Sequence, residues 1–311
     1  MALAVVAVAV AVAVAVAVAV AVAVAVAFDL LFSRFRSVLS PVSRQQLEQH
    51  LGAPLPQDPQ LVLVTDLDGT LLGGSLAWRR RFYAWLARER QRVLHVFCTG
   101  RDLQSVARVL ATDASHGLAA PHLVIGDVGC TVACGVSLAL VPPAMEPIEA
   151  LWAGKSELLS QLLVDVPGLS PQPISVDRRL AFSYDPESFD SALIARIEAH
   201  GVDCLISDDR YFDVLPSGVN KGSTLLALLD WLQLDRQRVV TAGDSLNDLA
   251  MFETGLAGVM VGNAEPALQL QLPDLPNTYL ARAQGCEGIV EGLIHFGFGY
   301  LLGDMQTELQ G

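Results

Sequence analysis

Lysine is scarce in this chain of 311 residues. Only Lys155 and Lys221 are lysines among its 20 basic residues, and 33 acidic residues bring the formal net charge to −13. A protein that binds nucleic acid needs a basic face, so this charge balance argues against that class of partner. An anionic small molecule would have to meet local positive charge, from a metal ion and a few placed cations.

The chain also lacks the usual cysteine and histidine patterns of zinc sites. Its five cysteines include no C-x-x-C pair, and its six histidines form no H-E-x-x-H motif. These spacings give no support to a zinc hydrolase. We therefore expect free thiols in a reducing compartment, and a cytoplasmic location.

The first 27 residues are nearly pure Ala-Val alternation. An uncharged apolar run of this length can span a bilayer as a helix, and the arginines that follow would hold its carboxyl side in the cytoplasm. The run has no basic n-region of the kind that a secretory signal requires. A perfect dipeptide repeat is also typical of an expanded or miscalled start, so a membrane anchor and such a start both stay open.

The rest of the sequence predicts an α/β protein with an insertion. Short apolar strands alternate with helical patterns on both sides of a proline-rich stretch, which is typical of a Rossmann-like parallel sheet with right-handed crossovers. The stretch between them mixes strands and helices and predicts an α+β cap over the sheet. The predicted segments are the Ala-Val run at 1–27, a linker at 28–60, the core at 61–135 and 218–300, the cap at 136–217 and a tail at 301–311.

The stretch LVLVTDLDGTLL, from Leu61 to Leu72, organises the chain. Its apolar start predicts a buried strand, and Asp66 and Asp68 follow at the carboxyl end, where open α/β sheets bind ligands. Residues two apart in an extended chain point the same way, so the two carboxylates face one site. Burying them without a cation would be costly, and Mg²⁺ together with a substrate phosphate suits them.

The Asp-x-Asp-Gly motif alone does not identify a phosphate site. It is also a common polar turn, and a nucleotide-sugar transferase can hold a metal with Asp-x-Asp. An EF-hand is excluded, because Thr70 stands where its third ligand belongs and Gly69 comes two places too early. The polar residues at the remaining strand ends decide between a plain turn, a transferase and a phosphate site.

Further polar residues follow other predicted strands or open the helices after them. Taken one at a time, they are also explained by strand-to-helix turns, helix caps or a surface lysine. Because the carboxyl ends of parallel strands meet at one edge of a sheet, we expect them to lie together near Asp66. They are Thr99, Gly100 and Arg101 after the strand at 93–98, Lys221 at the start of a helix, and Asp244, Asn247 and Asp248 after the strand at 239–242.

In this order the motifs resemble those of the haloacid dehalogenase (HAD) superfamily of phosphatases. They are D-x-D-G-T at 66–70, Thr99, Lys221 in N-K-G, and G-D-S-x-N-D at 243–248. The insertion resembles the C2-type cap of the Cof-like IIB branch. Over residues 60–298 the chain is most similar to the sucrose-phosphate phosphatase family, including mannosylfructose-phosphate phosphatases, in its segments 212–216, 258–264 and 287–297. Cys130 stands where that family usually has threonine, so it is given no role.

The resemblance implies a Mg²⁺-dependent phosphatase that forms an aspartyl-phosphate. Asp66 would be the nucleophile, and Asp68 would act as acid and then as base. Thr99, Gly100 and Lys221 would hold phosphoryl oxygens, with Arg101 and Asn247 as further substrate-binding candidates. The implied metal ligands are Asp66, Asp68 through its carbonyl, Asp244 and Asp248. For Asp248 the alternative is to orient Lys221, and for Arg101 it is a plain surface salt bridge.

The expected substrate is sucrose 6-phosphate. Mannosylfructose phosphate, glucosylglycerol phosphate and mannosyl-3-phosphoglycerate are alternatives. Two other classes stay open: a phosphotransferase or mutase that uses the same aspartyl-phosphate, and a non-catalytic, membrane-tethered module that binds a sugar phosphate or a partner synthase. In the cap, Trp152, Tyr184 and Tyr211 are expected either to stack on a sugar or to form the apolar core.

Overall fold

The computed structural model describes residues 42–174, 176–207 and 209–309 of the protein. Within these ranges no helix is both long enough and apolar enough to cross a membrane. The Ala-Val run, on which the prediction of a membrane anchor depends, lies outside the described residues.

Seven strands form the central sheet. They are β1 (Leu61–Thr65), β2 (Val93–Cys98), β3 (Leu123–Gly126), β4 (Thr131–Cys134), β9 (Val239–Gly243), β10 (Ala257–Met260) and β11 (Thr278–Leu280). Their order is β11-β10-β9-β1-β2-β3-β4, and every neighbouring pair is parallel except β3 with β4. The predicted α/β fold with a mainly parallel sheet is confirmed, and the carboxyl ends of β9, β1 and β2 lie side by side.

Helices cover both faces of this sheet. In chain order the helices are α1 (Arg44–Glu48), α2 (Leu76–Arg88), α3 (Leu103–Asp113), α4 (Pro142–Trp152), α5 (Ser156–Leu162), α6 (Ala192–Glu198), α7 (Lys221–Leu232), α8 (Leu249–Phe252), α9 (Pro266–Gln269), α10 (Gly285–His295) and α11 (Asp304–Leu309). Val62 and Val64 of β1 belong to the apolar cluster that includes α7, whereas Leu61 and Leu63 belong to the cluster that includes α2 and α10. Successive side chains of β1 thus point into apolar clusters on opposite faces of the sheet, which explains why the strand is apolar throughout.

A smaller sheet stands apart from the central one. Its strands are β5 (Leu169–Pro171), β6 (Leu180–Tyr184), β7 (Val202–Ser207) and β8 (Tyr211–Pro216), paired antiparallel in the order β5-β6-β8-β7. We call this sheet, together with α5 and α6, the cap. Trp152 is 3% exposed in its apolar cluster, and Tyr184 stacks on Phe212 with ring centroids 6.2 Å apart. These two aromatic residues therefore pack in the cap core.

Helix α4 is the element that is hardest to predict from the sequence. The prolines of this stretch indicate a break in regular structure, yet Pro142 and Pro143 occupy the first turn of the helix and Pro147 lies inside it. Proline is tolerated in a first turn because the N–H groups there have no partner within the helix. Val141, Met145 and Ile148 pack in the core cluster, so this helix leads from the core toward the cap.

Candidate active site

The turn after β1 brings the first motif against Asp244. Thr70 Oγ1 donates to Asp244 Oδ1 at 2.6 Å, and Asp66 N donates to the carbonyl of Ala242 at 2.9 Å. Gly69 has φ +72°, and a Cβ added to it would lie 2.0 Å from Asp244 Oδ2. Only glycine fits there, because other residues rarely adopt this backbone conformation and because there is no space for a Cβ atom.

Lys221 is completely buried at the first position of α7. Its Nζ donates to Asp66 Oδ1 at 2.7 Å, to Asp248 Oδ1 at 2.5 Å and to Asn247 Oδ1. Burial alone would lower the pKa of Lys221, but Asp248 and Asp66 raise it above its ordinary value. The ammonium group therefore stays charged, and three acceptors fix its position.

Asp248 uses both of its carboxylate oxygens within the protein. Oδ1 accepts from Lys221, and Oδ2 accepts from the backbone N–H groups of Asp244 and Ser245 at 2.9 and 3.0 Å. Asp66, Asp244 and Asp248 offer ligand atoms that all lie within 4.8 Å of one another. Of the two roles predicted for Asp248, this bonding favours the one that orients Lys221.

The cluster carries more negative charge than Lys221 can balance. Burial raises the pKa of Asp66 well above its ordinary value; Lys221 opposes the shift, while Asp248 and Asp244 add to it. Burial also raises the pKa of Asp244 to about 7, and Asp248 adds to that shift. Among the described residues, neither Asp66 Oδ2 nor Asp244 Oδ2 accepts a hydrogen bond. Two free oxygens with surplus negative charge are a donor set that suits a hard divalent cation.

Asp68 lies outside this buried cluster and pairs with Arg101. The guanidinium holds the carboxylate through two bonds of 2.6 Å, from Nε to Oδ2 and from Nη2 to Oδ1. The Asp68 side chain is 58% exposed and lines the same cavity as Asp66. The two aspartates of the motif thus face one site, but only Asp66 is buried in it.

The loop after β2 forms the adjoining wall. Thr99 is buried, its N–H donates to the carbonyl of Ile125 at 2.8 Å, and its Oγ1 accepts from Arg101 N at 3.2 Å. We call residues 99–101 the Thr99 loop. A Cβ added to Gly100 would lie 3.8 Å from Asn247 Nδ2, so the free end of the Asn247 amide faces this loop. The structure thus brings the predicted residues of four separate motifs to one place.

A cavity of about 900 Å³ lies above these residues, between the core and the cap. The core contributes Asp66, Asp68 and Asp244 to its walls, and the cap contributes Gln172 and Tyr211. Of the three cap aromatics singled out from the sequence, only Tyr211 reaches the cavity, and it is 43% exposed. The volume is at the upper end for small-molecule sites, and polar groups line it on both sides.

Three buried charged residues at the boundary between cap and core are absent from the predicted site. They are Asp127, Arg179 and Asp213, and all three are buried. Arg179 and Asp213 line the cavity. Two sequence signals are available, Asp127 directly after a buried strand and Asp213 within an otherwise apolar strand, and neither reveals the partners.

Comparison with known proteins gives consistent matches. The family described as Sucrose-6F-phosphate phosphohydrolase matches residues 59–297. The chain is 40% identical over 239 residues to the glucosylglycerol-phosphate synthase of Pseudomonas anguilliseptica, covering 76% of this chain and 31% of that protein. It is 30% identical over 248 residues to the mannosylfructose-phosphate phosphatase of Agrobacterium fabrum, covering 77% and 98%.

A solved structure agrees with these sequence matches. The sucrose-phosphatase of Synechocystis, in complex with sucrose and phosphate, superposes with a TM-score of 0.68 at 25% identity, covering 76% of this chain and 98% of that one. The chain spans nearly the whole of both phosphatases. It spans about a third of the synthase.

Proposed function

The chain belongs to the sucrose-6F-phosphate phosphohydrolase family of the HAD superfamily, whose members are phosphoric monoester hydrolases, and we propose that it hydrolyses a sugar phosphate through a phosphorylated Asp66. The observation that carries the proposal is the buried contact of Asp66 with Lys221 beside Asp244, at the floor of the cavity. A binding module has no need of a carboxylate held in this way.

Phosphatases of this superfamily generally use a divalent metal ion, and the residues present fit one. Mg²⁺ would be held by Asp66 and Asp244, with the backbone carbonyl of Asp68 as a third ligand. The ion, when bound, supplies positive charge that offsets the charge of the phosphoryl oxygens. Thr70 holds the other oxygen of Asp244, so that this carboxylate is oriented in advance.

Asp66 acts as the nucleophile in this proposal. One of its carboxylate oxygens attacks phosphorus while the other would remain with the metal ion, the bond from phosphorus to the sugar oxygen breaks, and the phosphoryl group stays on the carboxylate. Lys221 neutralises charge on the phosphoryl oxygens and is held for this by Asp248 and Asn247. The Asn247 amide and the Thr99 hydroxyl donate to the remaining oxygens.

Asp68 acts as the acid and then as the base. It protonates the departing sugar oxygen and later takes a proton from the water that attacks the aspartyl-phosphate. In the structure its carboxylate is bound by Arg101, so Asp68 must exchange this partner for the leaving-group oxygen. Arg101 is then free to bind the substrate. It would thus have both roles predicted for it, first the salt bridge and then substrate binding.

Two substrates have specific support. Sucrose 6-phosphate, predicted from the sequence, agrees with the family that matches residues 59–297 and with the sucrose-phosphatase fold. Glucosylglycerol phosphate is supported by the 40% identity to part of a glucosylglycerol-phosphate synthase. That match also supports a role in which this protein dephosphorylates the product of a glucosylglycerol-phosphate synthase, either as an independent protein or bound to the synthase.

A panel of substrates tests the proposal. The purified chain is assayed with Mg²⁺ against sucrose 6-phosphate, glucosylglycerol phosphate, mannosylfructose phosphate and mannosyl-3-phosphoglycerate, with Asp66→Asn as the control. We expect phosphate release from at least one of the first two, and none from the variant. A mutase would move the phosphoryl group between sugar positions without free phosphate. Binding of these esters without turnover by the intact chain would reject catalysis.

A further inference from the structure

Arg179, just before β6, reaches from the cap into the core. Its Nη2 donates to the carbonyl of Gly100 at 3.2 Å, and its Nη2 and Nε lie 3.2 and 3.3 Å from Asp127 Oδ1. Nη1 pairs with Asp213 on β8 of the cap. One guanidinium, 7% exposed, therefore joins a cap carboxylate, a core carboxylate and the Thr99 loop.

The core side of this contact is a strained turn. Asp127 and Val128 have φ +51° and +58°, a region that a β-branched residue such as valine rarely adopts. The turn is bonded to the Thr99 loop, since Asp127 N donates to the carbonyl of Arg101 at 2.9 Å and Val128 N to that of Thr99 at 3.2 Å. The position of Asp127 and that of the Thr99 loop are thus linked through the backbone.

Arg179 is difficult to withdraw from this place. Asp127 is fully buried, and its other oxygen accepts from Thr131 Oγ1 at 2.6 Å. Burial raises the pKa values of Asp127 and Asp213, and Arg179 opposes both shifts. Removing the guanidinium would leave two buried carboxylates without their cation, which is strongly unfavourable. The neighbouring Arg178 holds the same turn, with Nε 3.3 Å from the carbonyl of Cys130.

We propose that Arg179 is the positioning residue through which the cap fixes the Thr99 loop against the phosphoryl group of the substrate. The inference rests on the proposed function and deepens it. All three guanidinium nitrogens are engaged by protein acceptors, so Arg179 acts through Gly100 and Asp127 and leaves the phosphoryl group to Thr99, Asn247 and Lys221.

The test compares two phosphoryl donors. A sugar phosphate reaches the cap, whereas acetyl phosphate is too small to do so. Loss of a contact that positions the Thr99 loop should lower kcat/KM for both donors, by about 10- to 100-fold for Arg179→Gln. Inhibition by inorganic phosphate should weaken as well, and Arg179→Lys should recover part of each loss. The control, Arg196→Gln on the exposed surface of α6, should stay within about twofold of the unmodified protein.

A loss of kcat/KM for the sugar phosphate but not for acetyl phosphate would overturn the inference, because Arg179 would then act on the sugar alone. Asp127→Asn serves as a second variant should Arg179→Gln fold poorly, and it should show the same loss with both donors.

Hydrogen exchange gives a readout that does not depend on turnover. The amides of residues 99–102 and 127–131 should exchange faster in Arg179→Lys and Asp127→Asn, while those of β1 stay unchanged. Unchanged exchange at 99–102 would reject the coupling. Absence of phosphatase activity in the unmodified chain would reject the proposed function instead, and the exchange comparison would still decide the role of Arg179.

Discussion

Lys221 Nζ lies 2.7 Å from Asp66 Oδ1, although the two residues are 155 positions apart in the chain. Lys221 opens α7 and Asp66 follows β1, so the contact forms only when the second part of the core packs on the first. Neither side chain is exposed by more than 6%. The positive charge that we propose for the stabilisation of phosphoryl transfer is therefore already in place in the fold.

The two lysines of the chain allow a matched comparison of one substitution. Lys221→Arg places a larger planar group in a fully buried site, whereas Lys155 lies in the cap and donates to the carbonyl of Gly201 at 2.9 Å. We expect kcat to fall by about 10²- to 10³-fold for Lys221→Arg. Lys155→Arg should stay within about twofold. Steady-state phosphate release measures both, and equal rates for the two variants would contradict the role of Lys221.

Two glycines of similar backbone conformation allow the effect of backbone strain to be distinguished from the effect of a steric clash. Gly69 and Gly255 have φ +72° and +75°, so alanine costs about 1–2 kcal/mol of stability at either position. Only at Gly69 does the added Cβ meet Asp244, because nothing lies within 4 Å of it at Gly255. We expect Gly69→Ala to need much more Mg²⁺ for half-maximal activity and Gly255→Ala to need the same amount as the unmodified protein. Mg²⁺ titration of phosphate release decides this.

Asp68→Asn should separate the two halves of the reaction. With p-nitrophenyl phosphate the leaving group needs no proton, so Asp66 should still be phosphorylated and p-nitrophenolate released once per active site. Hydrolysis of the aspartyl-phosphate then lacks its base and should slow by about 10²- to 10⁴-fold. Stopped-flow absorbance should show a burst followed by slow turnover. Sustained turnover at the unmodified rate would exclude Asp68 as the base.

A buried histidine pair predicts how stability depends on pH. His95 N donates to His122 Nδ1 at 3.0 Å, and burial lowers the pKa of His95 to about 3 and of His122 to about 4. Histidine in the unfolded chain titrates near pH 6.5, so below that pH the unfolded state binds more protons. The free energy of unfolding should therefore fall between about pH 6.5 and pH 4, by up to about 1.4 kcal/mol per pH unit for each histidine.

His122→Asn tests this slope. The asparagine Oδ1 can accept from His95 N in place of Nδ1, while the titrating group is lost. Urea unfolding across this pH range should give a smaller slope for His122→Asn, by about one proton. Exposed His200→Gln serves as the control and should keep the original slope. An unaltered slope for His122→Asn would mean that this imidazole is not held neutral in the folded protein.

Much of the central fold could be predicted, because its signals are local. The apolar run of β2 and the helix from Lys221 to Leu232 are confirmed, since one is a buried parallel strand and the other has a capping residue, Asn220. The order of the motifs along the chain, together with the rule that ligands bind at the carboxyl ends of parallel strands, placed Asp66, Lys221 and Asp244 near one another.

The packing within the predicted cap, and its contacts with the core, could not be predicted in the same way. Helix α4 is hidden by its prolines, and burial of Trp152 depends on how the cap sheet folds over it. The pairing of Asp68 with Arg101 joins two different loops, and Arg179 meets Asp127 across 52 positions. Such contacts depend on tertiary packing, which a single sequence does not encode as a local pattern.

The most direct test of the account is to find where the phosphoryl group goes. The protein is mixed with labelled sugar phosphate and Mg²⁺, quenched in acid within one turnover, digested and mapped by mass spectrometry. We predict a phosphoryl group on Asp66 in the unmodified protein, a larger amount in Asp68→Asn, and none in Asp66→Asn. Phosphate release by Asp66→Asn at the unmodified rate, or label on another residue, would contradict the account.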